Sequence, residues 1–445
     1  MDEQGYDQVT DVAAEDYDVA TEDYWLRFRV PPGLMPDSQF DDRPARLQVH
    51  WVRPVYENGK GPSERRAVVL IHGRTVPGPV VFDLRDPATG GDLKLSVQEA
   101  LARAGIDTFA PSLLGYGRST RFSLNDPGNA SLSECRGAAT RPPEGCDRTL
   151  ILPINPYDQQ NLLLNDRPLE QKRAHSSNFH FARTDVWVRD IDQVIDDAIE
   201  RARPTDRKVA LVGYSVGGQH VGRTLYAGNL LGGELLEERD KVIEKVSRVV
   251  FLNSIFVANG PTEELDPFGP PTFPLTLNDQ KTNPPKNASD DLWKLSSEQQ
   301  CDGRVIRGTQ ERLWTQTMEH ETVGREWGLT GLNRAPTFSG YGWNTAVAGQ
   351  LSKPTLVMQG LNDGVLPTGP TTGEAIYNAL TAAPNKVLVR VQCASHALLW
   401  EGGPTPPAGP HATFKAALIE WIQKGTFRDA SSGSFTLNAS GGVVQ

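Results

Sequence analysis

One serine in this chain lies in a glycine-flanked turn whose surroundings indicate nucleophilic chemistry. Residues 213–217 read G-Y-S-V-G, which has the form G-x-S-x-G, and they lie between an apolar run at 209–212 and a helical pattern that begins at Val216. A sharp strand–turn–helix connection of this kind exposes the serine hydroxyl in a strained backbone conformation. We therefore predict that Ser215 is a nucleophile.

A serine hydroxyl needs a base to take its proton and an acid to orient that base. Asp363 follows an apolar run at 354–358, and His396 lies 33 residues later, after one helix and one strand. Because the carboxyl ends of parallel strands meet at one edge of a sheet, we expect these two loops to lie side by side. The pattern predicts a triad in which Asp363 accepts the Nδ1 proton of His396 and Nε2 faces Ser215.

Acyl chemistry at a serine also needs donors for the oxyanion of the tetrahedral intermediate. The backbone N–H of Val216, at a helix N-terminus, is one predicted donor. The second is the backbone N–H of Arg74, in the turn after the apolar run 67–71. The neighbouring His72 is expected to be a structural residue of that turn.

The elements that position these residues alternate between strand-like and helix-like patterns from residue 24 onward, which is typical of an α/β domain with a largely parallel sheet. The predicted strands are 25–30, 46–56, 67–71, 106–110, 208–212, 246–252, 355–358 and 386–391. The predicted helices are 95–104, 184–203, 216–231, 373–383 and 412–424. Two stretches rich in Pro, Asn and Gly, 121–180 and 255–350, interrupt this alternation and are predicted to be insertions at strand ends.

These motifs together resemble the α/β-hydrolase-fold superfamily, in particular a serine esterase or lipase with a large lid insertion. The matching features are HG-x at 72–74, G-Y-G-x-S at 115–119, G-x-S-x-G at 213–217, G-x-x-D-x-x-x-P at 360–367 and the late His396. The resemblance implies an eight-stranded, mostly parallel sheet flanked by helices, a cap or lid formed by the insertions, and acyl-enzyme chemistry without a cofactor. Some such enzymes place the acid one strand earlier, but residues 252–254 read L-N-S.

The chain is therefore divided into a hydrolase domain, 24–424, between two tails. Its core is expected at 24–120, 181–254 and 351–424. Residues 1–23 contain nine carboxylates and no Lys or Arg, whereas the whole chain carries a net charge of −10. We predict a solvated, mobile N-terminal arm over 1–23, a nearly neutral body and a C-terminal tail at 425–445.

The insertion 255–350 is rich in aromatic residues, which allows two interpretations: an apolar acyl or aryl pocket over the serine, or a small core of the lid itself. The residues concerned are Trp293, Trp314, Trp327, Trp343, Phe256, Phe268, Phe273, Phe338 and Tyr341. The sequence leaves both interpretations open.

Four cysteines bear on the compartment. Cys135 and Cys146 lie close together within the first insertion and are a possible disulfide, while Cys301 and Cys393 are left as a second bridge or as free thiols. A bridge favours secretion or the periplasm, with the cytoplasm as the alternative.

Composition excludes several classes of protein. The chain has 445 residues, 38% of them hydrophobic and 22% charged, which is ordinary for a globular protein rather than a disordered one. It has no basic stripe for nucleic acid, no apolar run long enough for a membrane span, no recognisable signal peptide and no metal-ligand pattern.

The primary hypothesis is a carboxylic-ester hydrolase acting on a small molecule with an apolar acyl or aryl part. Amide or peptide hydrolysis, or acyl transfer or cyclisation, would use the same triad. A non-catalytic binding protein is the remaining alternative.

Overall fold

The structure is a computed structural model. It describes residues 17–34, 40–56, 61–74, 76–85, 95–121, 184–226, 242–262, 274–275, 292–296, 301, 303–322, 325, 333–334, 342–366, 369–403 and 408–444.

A nine-stranded sheet with the order β1-β2-β4-β3-β5-β6-β9-β10-β11 organises the described residues. Strands β1 and β2 pair antiparallel, as do β2 and β4, and every other pairing is parallel. A separate two-stranded ribbon pairs β7 with β8. The strands are β1 (Asp18–Arg29), β2 (Pro44–Val55), β3 (Arg66–Ile71), β4 (Ile106–Ser112), β5 (Val209–Tyr214), β6 (Val246–Leu252), β7 (Pro274–Leu275), β8 (Asn333–Arg334), β9 (Thr355–Gly360), β10 (Lys386–Val391) and β11 (Gly433–Leu437).

Helices cover both faces of this sheet, which explains why β5 and β9 are buried along their whole length. Residues of α3, α4, α6 and α7 pack in the core on one face, and residues of α1, α2, α5 and α8 pack on the other. The helices are α1 (Gly78–Phe82), α2 (Val97–Arg103), α3 (Thr184–Ala202), α4 (Val216–Leu225), α5 (Thr309–His320), α6 (Thr345–Ala348), α7 (Thr372–Ala379) and α8 (Pro410–Lys424).

The predicted α/β class and the mostly parallel sheet are confirmed, and each predicted strand has a counterpart. The sheet has nine strands rather than the eight expected. The additional strand is β11, which lies in the predicted C-terminal tail and pairs in parallel with β10. Helix α4 ends at Leu225, six residues before its predicted end at 231.

The acidic N-terminal segment also differs from expectation at its end. Residues 18–23 of the predicted arm form the first half of β1 and pair with β2, from Asp18 opposite Val55 to Asp23 opposite His50. Charged side chains are compatible with an edge strand because one side of such a strand faces water. Residues 1–16 of the arm lie outside the described residues.

The insertion 255–350 contributes β7, β8, α5 and α6, whereas 121–180 lies outside the described residues except for Arg121. Among the helices that the structure describes, none has the length and apolarity that a bilayer span requires.

A buried histidine links the insertion side of the molecule to the N-terminal strands. His50 of β2 lies between two carboxylates, with Nδ1 2.9 Å from Asp23 of β1 and Nε2 2.9 Å from Asp83 after α1. Burial lowers its pKa, but the hydrogen bonds and charges of the two aspartates outweigh burial and raise the pKa to about 9. Gln316 of α5 donates to the backbone carbonyl of Asp83, 2.7 Å away, so the insertion packs on the same cluster.

Because its folded-state pKa is raised above the unfolded value near 6.5, protonated His50 stabilises the fold fully below pH 6.5. That contribution is lost as the pH rises through about 9. We expect the free energy of unfolding to fall by up to about 3 kcal/mol between pH 6.5 and 9 in the wild type, and by less in His50→Gln. Urea denaturation at a series of pH values measures this, and equal slopes in the two proteins would contradict it.

Candidate active site

Ser215 occupies the turn between β5 and α4 in a conformation that few non-glycine residues adopt. Its φ is 56° and its ψ is −123°. Its N–H donates to the carbonyl of Leu252 at 2.9 Å, and its own carbonyl accepts from Gly218 and Ile255 at 3.1 and 3.0 Å. These bonds hold the strained residue in place, so the backbone conformation fixes the position from which the side chain of Ser215 extends.

Two glycines of the G-x-S-x-G turn are required by close backbone approach. A Cβ at Gly217 would lie 2.4 Å from the carbonyl oxygens of both Ile71 and His72, and one at Gly213 would lie 2.5 Å from the Cα of Gly218. Any side chain there would push the turn away from β3 or from α4.

The structure brings the three predicted triad residues together in a buried row. Nε2 of His396 lies 2.8 Å from Oγ of Ser215, and Nδ1 lies 2.7 Å from Oδ2 of Asp363. Their exposed fractions are 7% for Ser215, 1% for His396 and 0% for Asp363. A neutral imidazole that donates from Nδ1 to the carboxyl oxygen presents Nε2 as an acceptor to the serine hydroxyl.

The second oxygen of Asp363 is held by its own loop. Oδ1 accepts the N–H groups of Val365 and Leu366 at 2.8 and 3.2 Å. The loop is in turn bridged to the insertion, because Leu295 pairs with Asp363 and the N–H of Gly364 donates to the carbonyl of Lys294 at 3.0 Å. The carboxylate is therefore fixed at both oxygens.

The turn after β3 lies directly against the serine. A Cβ at Gly73 would lie 2.7 Å from the Cβ of Ser215, and the half-buried Arg74 is the next residue. Val216 is the first residue of α4, and the first N–H groups of a helix have no partner within the helix. Val216 thus follows Ser215 in the chain, and Arg74 follows the glycine that lies against it, while the role of their N–H groups as oxyanion donors stays a prediction.

His72 links this turn to the one after β4. Its Nδ1 donates to the carbonyl of Gly73 at 2.6 Å, and its Nε2 accepts the N–H of Leu113 at 3.1 Å. Burial lowers its pKa to about 4, so the ring is neutral near pH 7. These contacts fit the structural role expected for it.

Two residues that sequence analysis did not select hold the backbone around His396. Asn253, at the end of β6, donates through Nδ2 to the carbonyls of Ser395 and His396 at 3.1 and 3.0 Å. Its Oδ1 accepts the N–H of Gly360 at 2.8 Å. The hydroxyl of Tyr214 also donates to the carbonyl of His396, at 2.9 Å. Asn253 lies at the strand end where some enzymes of this fold carry the acid. A polar side chain directly after a buried strand was the feature of the sequence that could have indicated its role.

A disulfide joins Cys301 of the insertion to Cys393, three residues before His396. Of the two possibilities that the sequence left for this pair, the structure has the bridge. Cys135 and Cys146 lie outside the described residues, so their predicted pairing stays a prediction.

The described aromatic residues of the insertion lie in the core of the domain. Trp343 stacks on Phe251 of β6 at a centroid distance of 4.8 Å and contacts Phe256 edge-on at 5.7 Å. Trp293 lies 5.7 Å from Trp400, and Trp314 is also buried. Five others lie outside the described residues: Trp327, Phe268, Phe273, Phe338 and Tyr341.

Within the described part of the chain, no group of three His, Cys, Asp or Glu side chains is arranged to hold a metal ion.

Comparison with known proteins gives one family and several solved structures. The model of the alpha/beta hydrolase family matches residues 68–406. The chain is similar to a bromoperoxidase from Bacillus anthracis (15% identity, 86% of this chain and 97% of that chain, TM-score 0.41). It is also similar to a soluble variant of monoglyceride lipase from Saccharomyces cerevisiae (12% identity, 86% of this chain and 92% of that chain, TM-score 0.44). A third similar structure is the thioesterase domain from the curacin biosynthetic pathway (14% identity, 91% of this chain and 100% of that chain, TM-score 0.40). No curated protein matches the sequence.

The close approach at Gly217 leads to a stability prediction. Gly217→Ala should lower the free energy of unfolding by about 1–3 kcal/mol, because the added methyl overlaps two carbonyl oxygens of the neighbouring turn. Gly61→Ala is the matched control, since the heavy atoms nearest to a Cβ there belong to the Tyr56 ring, at an ordinary contact distance of 3.5 Å. Urea denaturation of both variants measures the difference, and equal midpoints would contradict the packing argument.

Proposed function

Since the chain belongs to the alpha/beta hydrolase family, we propose that it is a serine hydrolase that cleaves a carboxylic ester through an acyl-enzyme intermediate. The observation that carries this proposal is the position of His396, with Ser215 and Asp363 at 2.8 and 2.7 Å from its two ring nitrogens. A base that touches both its nucleophile and its orienting acid is the arrangement that acyl transfer needs.

The proposed reaction begins with attack of Ser215 Oγ on the acyl carbon while His396 Nε2 takes the hydroxyl proton. Asp363 stabilises the imidazolium that forms, and the N–H groups of Val216 and Arg74 bind the oxyanion. Collapse of the intermediate breaks the ester C–O bond, and His396 gives its proton to the departing alcohol. Water then attacks the acyl-enzyme with His396 as the base, which releases the acid and restores Ser215.

The nucleophile is tested with a fluorophosphonate probe and intact-mass measurement. We expect one adduct on the wild type and none on Ser215→Ala.

Asp363→Asn should lower kcat/KM for an ester by about 10⁴-fold, because the amide favours the wrong imidazole tautomer.

Asp107→Asn is the matched control for the acid. Asp107 is also buried, burial raises its pKa to about 6, and it accepts from the indole of Trp51 at 3.0 Å, away from Ser215 in the sheet. Its amide variant should retain activity within about threefold. An unlabelled wild type, tested beside an active serine hydrolase, would refute the proposal.

Substrate class is decided by comparing nitrophenyl acyl esters of increasing chain length with aminoacyl anilides. Faster turnover of esters with longer chains supports an ester substrate with an apolar acyl part. Preference for anilides would favour the amide reaction.

The bridge between Cys301 and Cys393 supports a secreted or periplasmic location, because structural disulfides persist in oxidising compartments. Protein purified without reductant and then denatured should show no more than two free thiols. Removing the bridge in Cys301→Ser/Cys393→Ser should cost up to about 4 kcal/mol of stability, since the bonded residues are 92 positions apart. Four free thiols would exclude the bridge.

A further inference from the structure

Glu401 is a fully buried carboxylate that bonds to the residue immediately before His396. Its Oε2 accepts the N–H of Ser395 at 2.7 Å, and its Oε1 lies 2.5 Å from the Ser395 hydroxyl. The 3₁₀ helix Leu398–Trp400 turns the chain back so that Glu401 reaches this position. Glu401 thus bonds back to the start of the segment 393–401, which carries His396 and is called the histidine loop below.

The insertion supplies the cation that this carboxylate requires. The guanidinium of Arg304 forms an ion pair with Oε1 of Glu401, and the carbonyl of Arg304 accepts the N–H of Gly402 at 2.9 Å. The same stretch of the insertion reaches the loop at two more points: the hydroxyl of Ser395 lies 2.9 Å from the carbonyl of Leu292, and a disulfide joins Cys301 to Cys393.

Burial makes Glu401 dependent on this partner. Burial raises the pKa of the carboxyl, whereas Arg304 and the hydrogen bonds from Ser395 oppose that rise. A buried charge that loses its partner is strongly destabilising. The ion pair therefore couples the docking of the insertion to the state of the histidine loop.

Glu401 holds the side of the loop that the strand ends leave open. Asn253 and Tyr214 bond to the carbonyls of Ser395 and His396, whereas Glu401 bonds to the N–H of Ser395. Without Glu401 the N–H of Ser395 loses this acceptor, although the N–H of Cys393 still donates to Oδ1 of Asn362 at 3.0 Å. A displacement of the His396 ring by about 1 Å would then be enough to slow proton transfer between Ser215 and His396.

We propose that Glu401 is a positioning residue for His396, and that Arg304 makes this positioning depend on docking of the described parts of 292–305. The insertion is then a component of the active site. This inference rests on the proposed function of the triad.

The first test is Glu401→Gln, with Glu321→Gln as the matched control. Glu321 is also a buried glutamate, but it lies in the insertion and pairs through both oxygens with Arg121, after β4, at 2.9 Å. We expect Glu401→Gln to lower kcat for an ester by about 10- to 100-fold with KM within twofold, and the rate of fluorophosphonate labelling to fall in parallel. Glu321→Gln should keep kcat within about threefold even where the two variants lose similar thermal stability.

Arg304 is tested by a double-mutant cycle. If Arg304 acts through Glu401, the loss of kcat in Arg304→Met/Glu401→Gln should equal that of the stronger single variant rather than the product of both. Arg304→Lys keeps a positive charge and should recover part of the activity lost in Arg304→Met, and it serves as the test if the methionine variant does not fold. Independent, multiplicative losses would overturn the coupling.

Hydrogen exchange gives a readout that does not depend on catalysis. Peptides that cover 393–400 should exchange at least tenfold faster in Glu401→Gln than in the wild type, whereas peptides of β5 and α4 should not change. Unchanged exchange over 393–400, or an unchanged kcat, overturns the positioning role. An unlabelled wild type whose 393–400 segment still loosens in Glu401→Gln refutes the proposed function and leaves the structural role of Glu401 supported.

Discussion

The imidazole of His396 makes two hydrogen bonds at once, and these bonds depend on residues from three strand ends meeting at one edge of the sheet. Ser215 comes from the end of β5, Asp363 from the end of β9 and His396 from the loop after β10. Strand β6 lies between β5 and β9 in the sheet and offers no acid. It offers Asn253 instead, whose amide joins the end of β9 to the histidine loop. Each of these neighbouring parallel strands therefore contributes to the same row of side chains.

Local sequence was sufficient for the parts of this arrangement that obey local rules. Apolar runs such as 67–71 identified the buried strands, and the glycines around Ser215 identified a turn that admits no side chains. Strand β11 was missed because its sequence, GSFTL, has little apolar character, and pairing with β10 decides its structure. Glu401 and Arg304 were missed for a similar reason. A single charged residue in a loop has no periodicity, and its role arises from a partner 97 positions away.

The insertion 255–350 was expected to cover the serine, which stays a prediction, and its described residues contribute to the buried core. Trp343 belongs to the same hydrophobic cluster as Phe251 of β6, and α5 contributes Leu313 to the cluster on the opposite face. Truncation of a large aromatic side chain that is buried in this way lowers the free energy of unfolding by several kcal/mol. Neither a separate lid core nor an apolar pocket describes this packing of Trp343, because its side chain is part of the core on one face of the main sheet.

The bond between Cys301 and Cys393 also gives the molecule a closed covalent ring. That ring contains Asp363 together with β9, α7 and β10, whereas Ser215 and His396 lie on the two chain segments that leave it. A single backbone break anywhere between the two cysteines opens the ring without producing two molecules. After a break beyond Asp363, the acid of the proposed triad would stay joined to His396 through the sulfur bridge. After a break before Asp363, the bridge would instead keep the segment with Ser215 attached, so a nicked chain would hold all three groups in one covalent unit.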